Sequence, residues 1–140
     1  MRYKLIDHSI LLRLFVGEIL NYEAIQTYTT INSIAIACVV IRTSLYRSTS
    51  AKARVNDIIL SFLQEIVNQG IMIIPKQSDV IDANYFAITK NEAYSKKRKM
   101  LSDNFIWTIA ICQAWKYELI SSYGNENKYS GFPSLEVEYI

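Results

Sequence analysis

Three carboxylates, Asp7, Asp103 and Glu126, stand where chemistry is easiest to place in this chain. Asp7 follows the apolar run "YKLI", Asp103 opens a helical pattern behind Ser102, and Glu126 lies in a polar stretch just after "LISS". Carboxylates brought together repel one another, and their pKa values rise unless a cation compensates. An oxygen-only cluster of this kind suits Mg²⁺ or Mn²⁺. Such an ion activates a water and stabilises the leaving oxygen in phosphodiester hydrolysis. Asp7, Asp103 and Glu126 are therefore the candidate catalytic and metal-binding residues. Taken singly, each has a plainer role. Asp7 suits a helix cap, Asp103 is favourable beside a helix N-terminus on dipole grounds, and Glu126 suits a solvated loop.

Convergence of the three depends on the elements that carry them. "YKLI" reads as a buried strand bounded by Asp7. Residues 9–28 carry apolar side chains at helical spacing, with Ser9 as N-cap. "SIAIACVV" (33–40) is rich in β-branched and small residues and reads as a second buried strand. Val55, Ile58, Ile59, Phe62, Leu63, Ile66 and Val67 form one apolar face of a helix, and Gly70 suits its C′ position. "IMII" reads as a third strand stopped by Pro75, and Ser78 caps a further helix running to about residue 97. Ser102 caps a helix over "SDNFIWTIAICQAWKYE", "LISS" is a fourth strand, and "SLEVEYI" alternates as a final edge strand. Buried strands alternating with helices imply a three-layer α/β/α sandwich around a central parallel sheet. Residues 1–140 read as one domain. In such sheets ligands bind beyond the carboxyl ends of the strands, near the switch in strand order. Asp7, Asp103 and Glu126 would all open on that edge.

Composition narrows the class. Apolar residues make up 51% of the chain, which argues against intrinsic disorder. Fifteen basic residues against thirteen acidic ones give a net charge of +2, too small to announce a nucleic-acid binder by itself. Cys38 and Cys112 lie far apart in apolar runs and read as free thiols of a reducing compartment. With His8 as the one histidine, a zinc site has no ligand set. The longest apolar stretch is too short to span a bilayer, so no membrane association and a cytoplasmic location are expected.

With these residues in place, the sequence resembles the PIN-domain family, whose members, including VapC-type toxins, are mostly metal-dependent ribonucleases. "LIDHSILLRLF" resembles the family's opening strand and Asp-x-Ser turn, with Asp7 as the first metal-binding acid and Ser9 as its support. "LSDNFIWTIAICQAWKYELISS" resembles the late helix that begins with an acid, Asp103, and leads into a strand. "GNENKYSGFPSLEVE" is similar to the closing segment: Glu126 in the place of the final acid, usually an aspartate, Tyr129 in the aromatic place, and Gly131, Phe132 and Pro133 at the turn. The family's usual glutamate after the second strand has no counterpart. The matching stretch reads "VVIRTSLYRS", with Ser44 in the glutamate's place.

The resemblance implies an endoribonuclease using Mg²⁺ or Mn²⁺ held by Asp7, Asp103 and Glu126, with Ser9 and Asn125 supporting the shell. It implies RNA as substrate, a small antitoxin protein as partner and a homodimer. The missing glutamate supports a second reading, a catalytically inactive PIN-fold module that binds RNA or protein. Arg42 and Arg47 are placed near the cleft as candidates for an RNA backbone. Lys52, Arg54 and the run "KKRK" (96–99) read as solvated surface. Tyr85, Phe86 and Tyr94 can stack on bases, although aromatics at this spacing, like Trp107 and Trp115, more commonly pack. His8 can touch a phosphate or equally point away from the cleft, since Asp7 and Ser9 would occupy the other side.

Overall fold

A computed structural model describes residues 3–18, 20, 27–48, 50–74 and 80–140. Five parallel strands form one sheet in the order β3-β2-β1-β4-β5. They are β1 (Lys4–Ile6), β2 (Thr27–Thr30), β3 (Met72–Ile74), β4 (Glu118–Ser121) and β5 (Val137–Tyr139). The helices are α1 (His8–Phe15), α2 (Ile31–Tyr46), α3 (Val55–Asn68), α4 (Val80–Ser95), α5 (Asp103–Trp115) and the short α6 (Glu126–Tyr129).

The alternation of side chains along the central strands splits the core into two layers. Ile6 and Ile120 point to a cluster built from α1, α2 and α3, including Ile10, Ile34, Ile59 and Phe62. Their neighbours Leu5 and Leu119 point to the other side, against Ile106, Ile109 and Cys112 of α5 and Ala93 of α4. Both faces are covered at β1 and β4, which is why these read as apolar runs, whereas Met72 and Ile73 of the edge strand β3, expected as a buried strand, are exposed. The fold is the expected three-layer α/β/α sandwich. The chain builds outward from β1 through β2 to β3, then returns to place β4 on the other flank of β1. The switch in strand order therefore lies between β1 and β4.

Two expectations change between residues 9 and 46. The first helix begins at His8, and its N-cap is Asp7, not Ser9. Asp7 adopts the extended backbone of a cap, and its carboxylate accepts from Ser9 N and Ile10 N. The helix ends at Phe15, where Gly17 turns left-handed at φ +82° and its N–H reaches Leu14 O. The second strand is the polar Thr27–Thr30, and "SIAIACVV" lies inside helix α2. A short β-branched run cannot be told from a buried helix by periodicity alone. The deciding residue is Thr30, whose Oγ1 accepts from Ser33 N at 3.0 Å and caps α2.

The later elements fall near where expected, except that the polar stretch 123–133, expected as a loop, contains the short helix α6. Gly70 occupies the left-handed place after α3, at φ +72°. Ser102 is the N-cap of α5, although its side chain makes no capping bond. Pro75 and Ser78 lie outside the described residues. Phe86 stacks on Trp107 with centroids 4.4 Å apart, packing α4 on α5. Both cysteines are free thiols, Cys112 buried and Cys38 partly so.

Candidate functional site

The carboxyl edge at the switch point is centred on Asp7, which is fully buried. Its Oδ1 accepts from Ser9 N at 3.0 Å, Ser9 Oγ at 2.5 Å and, more weakly, Ile10 N at 3.4 Å. Its Oδ2 accepts from Ser121 Oγ at 2.5 Å and Tyr129 OH at 2.6 Å. Three elements supply these groups: α1, which Asp7 caps; β4, whose last residue is Ser121; and α6, which ends at Tyr129. Around them Ser122 N donates to Ser9 Oγ, and Asn125 Nδ2 donates to Ser121 Oγ, each at 3.1 Å. A carboxylate offers about four lone-pair positions. All are taken by donors of the chain itself.

The Tyr129 phenol is pushed well above its ordinary range, first by burial and then by the charge of Asp7 and the hydrogen bond to it. The proton therefore stays on Tyr129, and the hydroxyl remains a donor to Asp7.

A second chain of bonds runs along the same edge. Asn32 Nδ2 donates to Asn104 Oδ1 at 3.3 Å, and Asn104 Nδ2 lies 2.8 Å from His8 Nδ1. An amide nitrogen can only donate, so Nδ1 accepts and neutral His8 carries its proton on Nε2. Burial lowers the His8 pKa, against the opposing pull of Asp7. The ring stands edge-on to Phe105, whose other contacts are Tyr129 and the Lys128 ammonium, 5.6 Å from its centroid.

The other two acids do not join Asp7. Asp103 has a side chain 64% exposed and pairs with Lys90 of α4 at 3.1 Å. Glu126 is exposed and folds back to accept from Gly124 N at 2.7 Å. Among the described residues, no three His, Cys, Asp or Glu side chains gather in a way that could hold a metal ion. With a closed carboxylate and two acids engaged elsewhere, the described residues do not fit a Mg²⁺ or Mn²⁺ centre. The described groups along the edge besides Asp7 are His8, the asparagine amides and Lys128, none of them a further acid.

Ser44, Arg42 and Arg47 are also displaced from this edge. The stretch after the second strand begins at Ile31, not after residue 40, so the family's glutamate place falls in the first turn of α2. That turn holds no acid. Ser44 is exposed in the last turn, roughly 20 Å from Ile31 on the helical rise per residue. Arg42 bonds Asn56 of α3, and Arg47 follows the end of α2, so neither flanks Asp7. Ser9 and Asn125 do stand beside Asp7. Ser121, the Tyr129 hydroxyl, Asn104 and Lys90 were not legible. Ser121 and Tyr129 lie 114 and 122 residues from Asp7, and no local spacing signals such pairs.

No family model matches the sequence, and no curated protein matches it. Solved structures do match along its length. A member of the VapBC family of toxin–antitoxin systems, VapBC-5 from Mycobacterium tuberculosis, is similar with a TM-score of 0.64 at 13% identity, covering 100% of both chains. DNA-bound VapBC from Salmonella typhimurium gives a TM-score of 0.59 at 10% identity, covering 99% of this chain and 98% of that one. VapBC-1 from nontypeable Haemophilus influenzae gives 0.58 at 9%, covering 98% and 97%. The fold is PIN-like, as the resemblance implies. Among the described residues, no helix is long and apolar enough to cross a membrane.

Proposed function

We propose that this chain is a cytoplasmic PIN-fold module of the toxin–antitoxin kind that binds RNA without metal-dependent cleavage. One observation carries the reading: both oxygens of Asp7 are occupied by hydroxyls and amides of the chain itself. A divalent ion would have to displace Tyr129 or Ser121 and find further acids. Asp103 is paired with Lys90, and Glu126 is turned to Gly124 N. The likeness to VapBC structures supports a protein partner, either an antitoxin or a second copy. Exposed apolar side chains on α2 and α3 (Val39, Val40, Tyr46, Leu60 and Val67) offer it a surface.

A second reading, the Mg²⁺- or Mn²⁺-dependent endoribonuclease, is favoured by the placement of Asp7 and Asp103 at the ends of elements that open on one sheet edge. Calorimetry with Mn²⁺ on the wild type and Asp7→Asn, beside cleavage and retention assays on a mixed RNA pool, separates the two. The binding-module reading expects RNA retention with no Mn²⁺ heat and no cleavage. Mn²⁺ binding that vanishes in Asp7→Asn, together with metal-dependent cleavage, would replace it with the nuclease reading.

A further inference from the structure

We infer that the segment Lys97–Lys99, docked on α6 beside Lys128, is a seat for the phosphates of a single-stranded polynucleotide passing the Asp7 edge. This rests on the RNA-binding reading above and adds the surface that performs it.

The run "KKRK" reads in sequence as solvated surface, and the structure gives it a fixed place. Lys99 Nζ donates to Asn127 O at 2.6 Å, Ser130 O at 2.5 Å and Ser130 Oγ at 3.0 Å. Those bonds use all three ammonium donors and close the carbonyl end of α6. Lys99 N also donates to Ala93 O at 2.7 Å, tying the segment to the last turn of α4. Lys99 is therefore a pin and has no donor left for a ligand.

The pin holds other cations together. Lys97 lies over Gly131, where an added Cβ would meet its Cδ at 3.4 Å. Lys128 projects from α6 toward Phe105. Lys97 and Lys128 both press on the Lys99 ammonium, whose pKa is lowered by burial and then by their charges. Among the described residues, Glu92 reaches Lys97 only at 3.9 Å. Arg98, between the two lysines, is exposed and held left-handed at φ +53°, a conformation that disfavours any side chain but suits glycine. An exposed arginine beside crowded lysines, in a chain whose net charge is only +2, concentrates positive charge that an anion would offset. A groove of about 470 Å³ opens beside it, with Lys97, Ser130, Phe132 and Tyr139 in its wall. Arg and Lys at such a rim recognise phosphodiester oxygens without reading sequence.

The test is fluorescence anisotropy of a labelled, unstructured oligoribonucleotide across a salt series, with the same sequence as single-stranded DNA. The wild type is compared with Arg98→Gly, the double variant Lys97→Gln/Arg98→Gln, and Lys52→Gln/Arg54→Gln as a distant control. The seat expects the double variant to bind on the order of tenfold more weakly and to lose ~1.4 from the slope of log affinity against log salt, about 0.7 per phosphate contact. Arg98→Gly should be at least as stable as wild type, because it relieves the left-handed residue, and should still bind less well. Equal binding of RNA and DNA supports the seat as a reader of phosphates alone, and a preference for RNA adds a 2′-hydroxyl contact. RNA binding with an unchanged slope in both strap variants overturns the seat and leaves the RNA-binding reading standing. No binding of either polynucleotide, or binding only of an acidic peptide, overturns both.

Discussion

Replacing Tyr129 with phenylalanine removes one oxygen from the centre and little else. The hydroxyl donates to Asp7 Oδ2 at 2.6 Å, donor and acceptor are both buried, and the ring contact with Phe105 survives the change. A hydrogen bond to a charged group contributes about 1.5–3 kcal/mol. Ser121 Oγ still donates to Oδ2 in the variant, so the lost acceptor is not orphaned. That places the cost in the lower part of the range, ~2 kcal/mol, with no allowance for solvent because neither group meets water. For a chain of this length the melting temperature should fall by roughly 6 °C. Urea unfolding and calorimetry of Tyr129→Phe, beside Tyr123→Phe at an exposed position, measure it. The alkaline limb gives a second readout. The Tyr129 phenol is raised above its ordinary value near 10, so its contribution is present below pH 10 and is lost as pH rises beyond it. The variant should show a shallower alkaline loss, with Tyr117, Tyr139 and the thiols of Cys38 and Cys112, all raised chiefly by burial, contributing to what remains. A variant as stable as wild type, with the same alkaline limb, would refute the closed carboxylate and reopen Asp7 to a cation.

His8 supplies the acid limb. Its pKa is lowered in the fold, so its contribution is present above pH 6.5 and is lost as pH falls toward the folded value; urea midpoints from pH 7 down to 5 should fall less steeply in His8→Gln than in wild type. Thr30→Ala removes the buried cap of α2 and should cost about 1–2 kcal/mol in the same unfolding assay, whereas no change would mean that α2 starts elsewhere.

The parts of the fold that the sequence makes legible are those where burial and periodicity agree. Helix α3 buries Val55, Ile59, Phe62 and Ile66 on one face, and strands β1 and β4 are buried runs closed by polar residues. Legibility fails between residues 16 and 46, where the two signals part. Strand β2 fills its buried positions with Thr27, Thr29 and Thr30, so no apolar alternation marks it. Helix α2 is apolar on nearly every side and leaves Ile31, Val39 and Val40 in solvent, so it lacks a polar face to reveal its period. The same misplacement shifted the glutamate's place to Ser44. That Asp7 closes β1 at the carboxyl edge of a parallel sheet was legible from the alternation of strands and helices, although the strand order was not. The chemistry of the site was not legible either, because that rests on Ser121 and Tyr129 reaching Asp7 from the far end of the chain.

Whether Asp7 serves as a cap or as a ligand turns on what surrounds it. A residue at the carboxyl end of β1 must satisfy the first N–H groups of α1, and a carboxylate does so with the added favour of the helix dipole. In this chain the remaining capacity of that carboxylate is spent on holding β4 and α6 to β1 through Ser121 and Tyr129. On the binding-module reading that role is structural and needs no ion. A metal centre on the same scaffold would need additional acids facing Asp7, and it would be repelled by ammonium groups at its rim. Here Lys90 holds Asp103, Lys128 lies over Phe105, and the turn that should supply a glutamate supplies Asn32 and Ser33. Each of these changes makes the edge less hospitable to a cation and more hospitable to an anion. An RNA backbone carries that charge along its length, so it can meet the edge and the lysine strap at once.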